Sequence, residues 1–123
     1  MSTYAEQLLA TKQHYPFDNW RVHYQQESIR QWEPDGVEDT NAIQAIFDKL
    51  ITKLIKLGEE ASEKKKAKRI IKAIEATNGY ACLIMTVQRE ELVELTDEIT
   101  VACGLDPSDY ADGAGLADEA RDW

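Results

Sequence analysis

The chain has 123 residues and a mass of 14.0 kDa. That is one domain's worth, enough to bury roughly two-thirds of the unfolded surface around one core. Hydrophobic residues are 43% and charged residues 30%, the balance of a globular protein, and 23 acids against 14 Lys and Arg give a net charge of −9. That charge excludes nonspecific association with nucleic acid or with anionic membrane surfaces.

The N-terminal residues Met1 to Glu6 lack the basic and apolar regions of a secretory signal. The longest uninterrupted apolar run, Tyr80 to Met85, is far short of the ~20 residues of a membrane span. Cys82 and Cys103 are too few for a disulfide scaffold and form no C-x-x-C pair. These features predict a cytoplasmic protein with two idle or buried thiols, a single Cys82–Cys103 bridge being the less favoured alternative.

Residues 1–36 are rich in aromatics, holding Tyr4, Tyr15, Phe17, Trp20, Tyr24 and Trp32. Thr3-x-x-Glu6 is a capping-box pattern that opens a short helix to about His14. Tyr15-Pro16-Phe17-Asp18-Asn19 reads as a break. Trp20, Tyr24 and Trp32 share one face of a further helix, ended by Glu33-Pro34-Asp35-Gly36. Trp20 and Tyr24 are assigned to the core. Tyr15 and Phe17, beside Pro16, are the first aromatics to test for exposure, and Trp32, next to a turn, stays open between core and partner contact.

The clearest period lies in 40–57. Ile43, Ile46, Phe47, Leu50, Ile51, Leu54 and Ile55 form one apolar stripe, with Thr40 or Asp39 as cap and Gly58 as terminator. This helix should be roughly 27 Å long at 1.5 Å per residue. A second helix, 62–78, runs from Ser62 to Asn78-Gly79 with Ala67, Ile70, Ile71 and Ile74 inward. Its start carries Lys64, Lys65, Lys66, Lys68 and Arg69. Cations at that end oppose the macrodipole by a few tenths of a kcal/mol each. Tyr80 to Thr86 is predicted as an extended buried connection. A third helix, 87–103, follows a Thr86 cap and ends at Gly104-Leu105-Asp106-Pro107, with Leu92, Leu95, Ile99, Ala102 and Cys103 inward.

The segment 104–123 is acidic, with six acids against Arg121 alone. Leu116 to Trp123 is expected to form a short helix that docks Trp123. The cluster at Lys64–Arg69 is a solvated helix start, an anion grip or the receptor of this acidic tail. The last reading predicts that tail removal costs more stability at low salt than at high salt.

The sequence carries no complete motif for chemistry. Asp106, Asp109 and Asp112 are spaced by three, whereas a calcium loop needs alternating oxygens, a Gly at the sixth position and a Glu at the twelfth. Gly113-x-Gly115 lacks the third Gly, the preceding strand and a phosphate-attracting charge. A zinc site needs His14 and His23 to meet Cys82, Cys103 or carboxylates from other elements. Cys82 lies in an apolar run that raises a thiol pKa, against a Cys–His nucleophile. No carboxylate is marked as buried for acid–base work.

The sequence therefore predicts an all-α fold, a small antiparallel bundle of three main helices plus one or two N-terminal helices and an acidic C-terminal tail. It forms a single helical domain over 1–123. The expected function is non-catalytic: an acidic module that binds a protein with a basic surface. Its concrete form is an immunity-type inhibitor that covers the basic active site of a toxin made by the same or a competing bacterium, an analogy of size and charge. Asp106, Asp109, Asp112, Glu90 and Glu94 would form the negative patch, with Tyr110 or Trp32 as aromatic anchor. No catalytic residue, metal or cofactor is predicted, and neither nucleic acid nor membrane is a partner. The alternative is a stand-alone structural or regulatory helical protein, possible as a homodimer through an exposed aromatic face. A small enzyme is the third reading.

Overall fold

The apolar stripe beginning at Ile43 organises the molecule. In the computed structural model, which describes residues 3–26, 36–81 and 84–123, with the side chains of 23–26 outside the description, Ile43, Phe47, Leu50, Ile51 and Leu54 are all buried on one face of a long helix. The side chains of His23 and Tyr24, and residues Trp32 and Cys82, lie outside the described residues.

The described helices are α1 (Tyr4–Ala10), α2 (Phe17–Gln26), α3 (Gly36–Leu57), α4 (Glu63–Thr77), α5 (Thr86–Ala102) and α6 (Leu116–Ala120). No strand occurs among the described residues, and the fold is all-α. The α3, α4 and α5 helices form the main bundle. The α1 and α2 helices pack against α3, and α6 lies on α4 and α5.

Local chemistry accounts for most boundaries. The Thr3 hydroxyl oxygen accepts from the Glu6 N–H at 3.1 Å and opens α1, which continues as a 3-10 turn over Thr11–His14. Ser62 Oγ likewise accepts from the Lys65 N–H at 3.2 Å and opens α4. Gly58, at φ +84°, ends α3 and turns the chain back into α4. At the end of α5, Gly104 takes φ +93° while the Leu105 N–H reaches the Thr100 carbonyl at 3.0 Å. The Gly104 N–H bonds to Val101, completing a Schellman closure.

Four boundaries differ from the sequence reading. The α3 helix starts at Gly36 and has 22 residues, about 33 Å, because Thr40 does not cap. Its hydroxyl instead donates to the Gly36 carbonyl at 2.7 Å, inside the helix, and Glu38 and Asp39 occupy the dipole-favoured first turn. The α2 helix starts at Phe17 because Pro16 precedes the helix rather than interrupting it, its carbonyl accepting from the Trp20 N–H at 3.2 Å. Met85 rather than Thr86 holds the N-cap position of α5. The segment after α4 begins as a 3-10 turn, Asn78–Tyr80, not as extended chain, before Ile84 is buried and Met85 turns extended and exposed.

Phe17, read from the sequence as part of a break, is instead a buried core residue. Its ring is 1% exposed and central to an aromatic cluster. Tyr15 and Trp20 meet it edge-on, at 5.0 and 5.2 Å between centroids, and Phe47 lies at 6.0 Å. The Trp20 indole N–H donates to Glu91 Oε1 at 3.1 Å, tying α2 to α5. Tyr15 is partly buried, and its hydroxyl donates to Asp48 Oδ1 at 2.9 Å.

The basic start of α4 also departs from expectation at one position. Lys64, Lys65 and Lys68 are exposed, but Lys66 is 5% exposed. Its ammonium donates to the carbonyls of Glu59 at 2.8 Å and Cys103 at 2.9 Å and lies 5.0 Å from the Tyr4 ring centroid.

The acidic C-terminal segment is ordered by apolar docking. Two 3-10 turns, Pro107–Asp109 and Ala111–Gly113, lead into α6. Leu116, Ala117 and Trp123 are buried, and the Trp123 indole donates to Thr77 Oγ1 at 2.9 Å. Asn78 donates to the Ala120 carbonyl at 2.9 Å and accepts from the Asp122 N–H at 2.8 Å. The terminal helix expected over Leu116 to Trp123 is thus present, but it ends at Ala120, beyond which Arg121 is extended. No ion pair joins Lys64–Arg69 to the tail among the described residues, which corrects the electrostatic-receptor reading. Trp123→Ala should therefore cost about 2–3 kcal/mol by urea denaturation, equally at low and high salt. A loss that shrinks as salt rises would restore the electrostatic reading.

Candidate functional site

The polar face of α5 builds one wall of an open groove. Leu92, Leu95, Thr96 and Ile99 face the core, so Glu94, Asp97, Glu98 and Val101 fall on the opposite side at helical spacing. The wall facing them comes from α1 and its 3-10 extension, through Ala10, Thr11 and His14. The groove between them has a volume of about 670 Å³ and a mainly apolar lining. Val101 is 61% exposed there, and Leu9 on α1 is 48% exposed. His14 Nδ1 and Glu98 Oε2 approach to 2.8 Å and bridge the two walls.

Asp97 is the electrostatically costly member of this rim. Its Oδ1 is buried and has no hydrogen-bond partner among the described residues. Burial, and then the neighbouring charge of Asp118, push its carboxyl above the ordinary value. Gly115 presses against it: a Cβ there would fall 2.5 Å from Asp97 Oδ1, and Gly115 also holds φ +101°.

The folded state therefore holds the Asp97 proton more tightly than the unfolded chain. The cost of ionisation is fully present at neutral pH and is relieved as pH falls through the raised folded value. Asp97→Asn should stabilise the protein at neutral pH by about 1 kcal/mol, solvent screening keeping the electrostatic share small. The gain should vanish as the pH of thermal melts is lowered to about 4. A variant less stable than the parent at neutral pH would mean that the carboxylate has a stabilising partner.

The residues singled out in the sequence do not all meet. Glu94 lines the groove, and Glu90 is exposed one turn before it on α5. Asp106, Asp109, Tyr110 and Asp112 lie on the turns that follow α5 and do not line it. Asp106 caps its own turn, accepting from the Ser108 N–H at 2.9 Å and hydroxyl at 2.7 Å, which hold its carboxyl below the ordinary value. Asp109 and Asp112 are exposed, Asp112 at φ +54°. Tyr110 is partly buried against the core, and its hydroxyl is pushed up by burial and then by Glu63. Trp32 lies outside the described residues. Sequence reasoning missed Asp97, Glu98 and Val101, and weighed His14 only as a zinc ligand or as the partner of a cysteine. The signal for the α5 set was their shared face with Glu94, while His14 comes from another element.

Other chemistry-bearing groups are occupied structurally. Cys103 is a free buried thiol that donates to the Thr100 carbonyl at 3.3 Å, and burial pushes its pKa up, away from nucleophile or metal ligand. Among the described residues, no three His, Cys, Asp or Glu side chains gather as a metal site requires. Asp48 is shared between Tyr15 and Lys12, the latter at 3.5 Å. Burial and Asp48 push the Tyr15 hydroxyl well above its ordinary value, so it is a poor acid–base group at neutral pH. No helix among the described residues is long and apolar enough to cross a membrane. No family model, curated protein or solved structure matches the chain.

Proposed function

We propose that the chain is a non-catalytic binding module that holds a basic protein surface in the groove between α1 and α5. The observation that carries this reading is the pairing of an apolar floor with a rim of Glu94, Asp97 and Glu98. An apolar side chain of the partner would seat against Ala10 and Val101, and surrounding cations would meet the carboxylates. Such charge raises the association rate and selects the partner more than it deepens affinity. An immunity-type inhibitor is the concrete form of the reading: a small acidic helical protein that covers the cationic active cleft of a toxin. The net charge of −9 and the absence of a chemical motif in the sequence support it.

The test is affinity capture from the native host, with parent and Glu94→Lys/Val101→Asp baits compared side by side. The expected result is one stoichiometric partner of high pI, held by the parent, released by salt and lost by the variant. Its association rate should fall with ionic strength. A partner held equally by both baits would remove the groove from the mechanism.

A further inference from the structure

The charge of this chain is segregated. Residues 49–57 and 64–74 hold nine of the fourteen basic side chains and no acid, leaving five basic residues against 23 acids elsewhere. Both stretches belong to the α3–α4 hairpin. Lys66 turns inward, but Lys49, Lys53, Arg69 and Lys72 converge on a cleft of about 210 Å³ between the two helices. Its floor is apolar, built from Ile46, Leu50 and Ala73.

None of these four cationic side chains makes an ion pair or hydrogen bond with a described residue. Their charges act on one another. Lys49, then partial burial, then Arg69 and Lys72 push the Lys53 ammonium below its ordinary value. An acidic protein thus keeps a local concentration of uncompensated positive charge in a concavity. The acidic tail does not fill it: Trp123 is anchored at Thr77 and the Asp122 N–H at Asn78.

We propose that this cleft binds the oligophosphate group of a small ligand. Four cations around one concavity match two or more adjacent phosphates, with Arg69 offering the planar fork that suits phosphate oxygens. The cleft is smaller than the ~300 Å³ at which pockets enclose whole ligands. It takes the phosphate chain and leaves any organic remainder over the helix surfaces. Compactness also follows from the surrounding charge. A long polyanion would run out over the acidic remainder of the molecule, whereas a short one stays within about a Debye length, ~8 Å, of the four cations. The site is separate from the α1–α5 groove and stands or falls independently of it.

The probe is sodium tripolyphosphate, titrated calorimetrically at constant ionic strength and followed by amide shifts. Expected are saturable one-to-one binding, shifts centred on α3 and α4, and a raised Tm as the mutual repulsion is relieved. Arg69→Gln or Lys53→Gln should each weaken binding about tenfold. Lys64→Gln, the same charge change at an exposed position, should leave it within about twofold. These substitutions remove like-charge repulsion, and circular dichroism checks that each variant is folded.

ATP binding as tightly as tripolyphosphate supports the cleft as a phosphate site alone; tighter ATP binding supports it and adds contacts of the nucleoside with the helix surfaces beside the cleft. The proposal is overturned by absence of saturable binding, by sulfate binding equally well, or by equal losses in Lys64→Gln and Arg69→Gln. It is also overturned if a single-stranded oligonucleotide binds more tightly than tripolyphosphate, which would make the hairpin a polyanion surface instead.

Discussion

Lys66→Ala should lower the unfolding free energy by about 2–3 kcal/mol, the largest loss expected from any lysine in the chain. The ammonium is buried and satisfies two carbonyls that no helix can satisfy, Glu59 beyond the end of α3 and Cys103 at the end of α5. A positive charge at a helix C-terminus also complements the dipole of α5. The Tyr4 ring covers the same ammonium, and burial pushes the Tyr4 hydroxyl up to about 12 while it donates to the Leu54 carbonyl. One side chain therefore joins α1, the α3–α4 connection, α4 and α5. Lys66→Met keeps the stem and should recover roughly half the loss. Lys64→Ala, at an exposed position, should stay within about 0.5 kcal/mol of the parent. Urea midpoints at unchanged slope measure all three. Equal losses at Lys64 and Lys66 would show that the ammonium is solvated and the staple does not exist.

Phe17→Ala should cost more, about 4 kcal/mol. The ring is fully enclosed, and its removal opens a cavity between Tyr15, Trp20 and Phe47 while losing the edge-on aromatic contacts. That is a large share of the 5–15 kcal/mol typical of a domain, so Phe17→Leu provides a measurable companion at about 2 kcal/mol. In both variants Trp20 emission should shift to the red as the indole loosens from Glu91. A loss under about 1.5 kcal/mol for Phe17→Ala would mean that α2 is docked mainly by other contacts.

The structure separates what a one-dimensional pattern can carry from what it cannot. The stripe from Ile43 to Leu54 predicted α3 and its buried face, because helical period and burial are the same information. Ser62 and Gly104 marked their boundaries because caps are local chemistry. Thr40 misled because a threonine hydroxyl serves equally well as a cap or as a donor to a carbonyl four residues back. Phe17 misled because Pro16 has the same sequence signature before a helix as in a break. Lys66 was hidden in a run of cations, although its spacing of four and eight from Ile70 and Ile74 placed it on the buried face. For the candidate sites, Glu94 was legible as an exposed acid. The groove was not, because it needs His14 and Ala10 brought from another element against α5. The lysine and arginine clusters were visible, but their convergence between α3 and α4 follows only from the turn at Gly58.

The docking of Trp123 on Thr77 has a consequence for the order in which the molecule assembles. The two residues are 46 positions apart, and closing such a loop costs about 3 kcal/mol of chain entropy before the contact returns anything. The α3–α4 hairpin closes through a connection of a few residues and forms without that cost. The indole is therefore expected to dock after the barrier has been crossed. Trp123→Ala should leave the refolding limb of a chevron in place and raise the unfolding limb, so this terminal contact governs how long the native state lasts more than how fast it is reached.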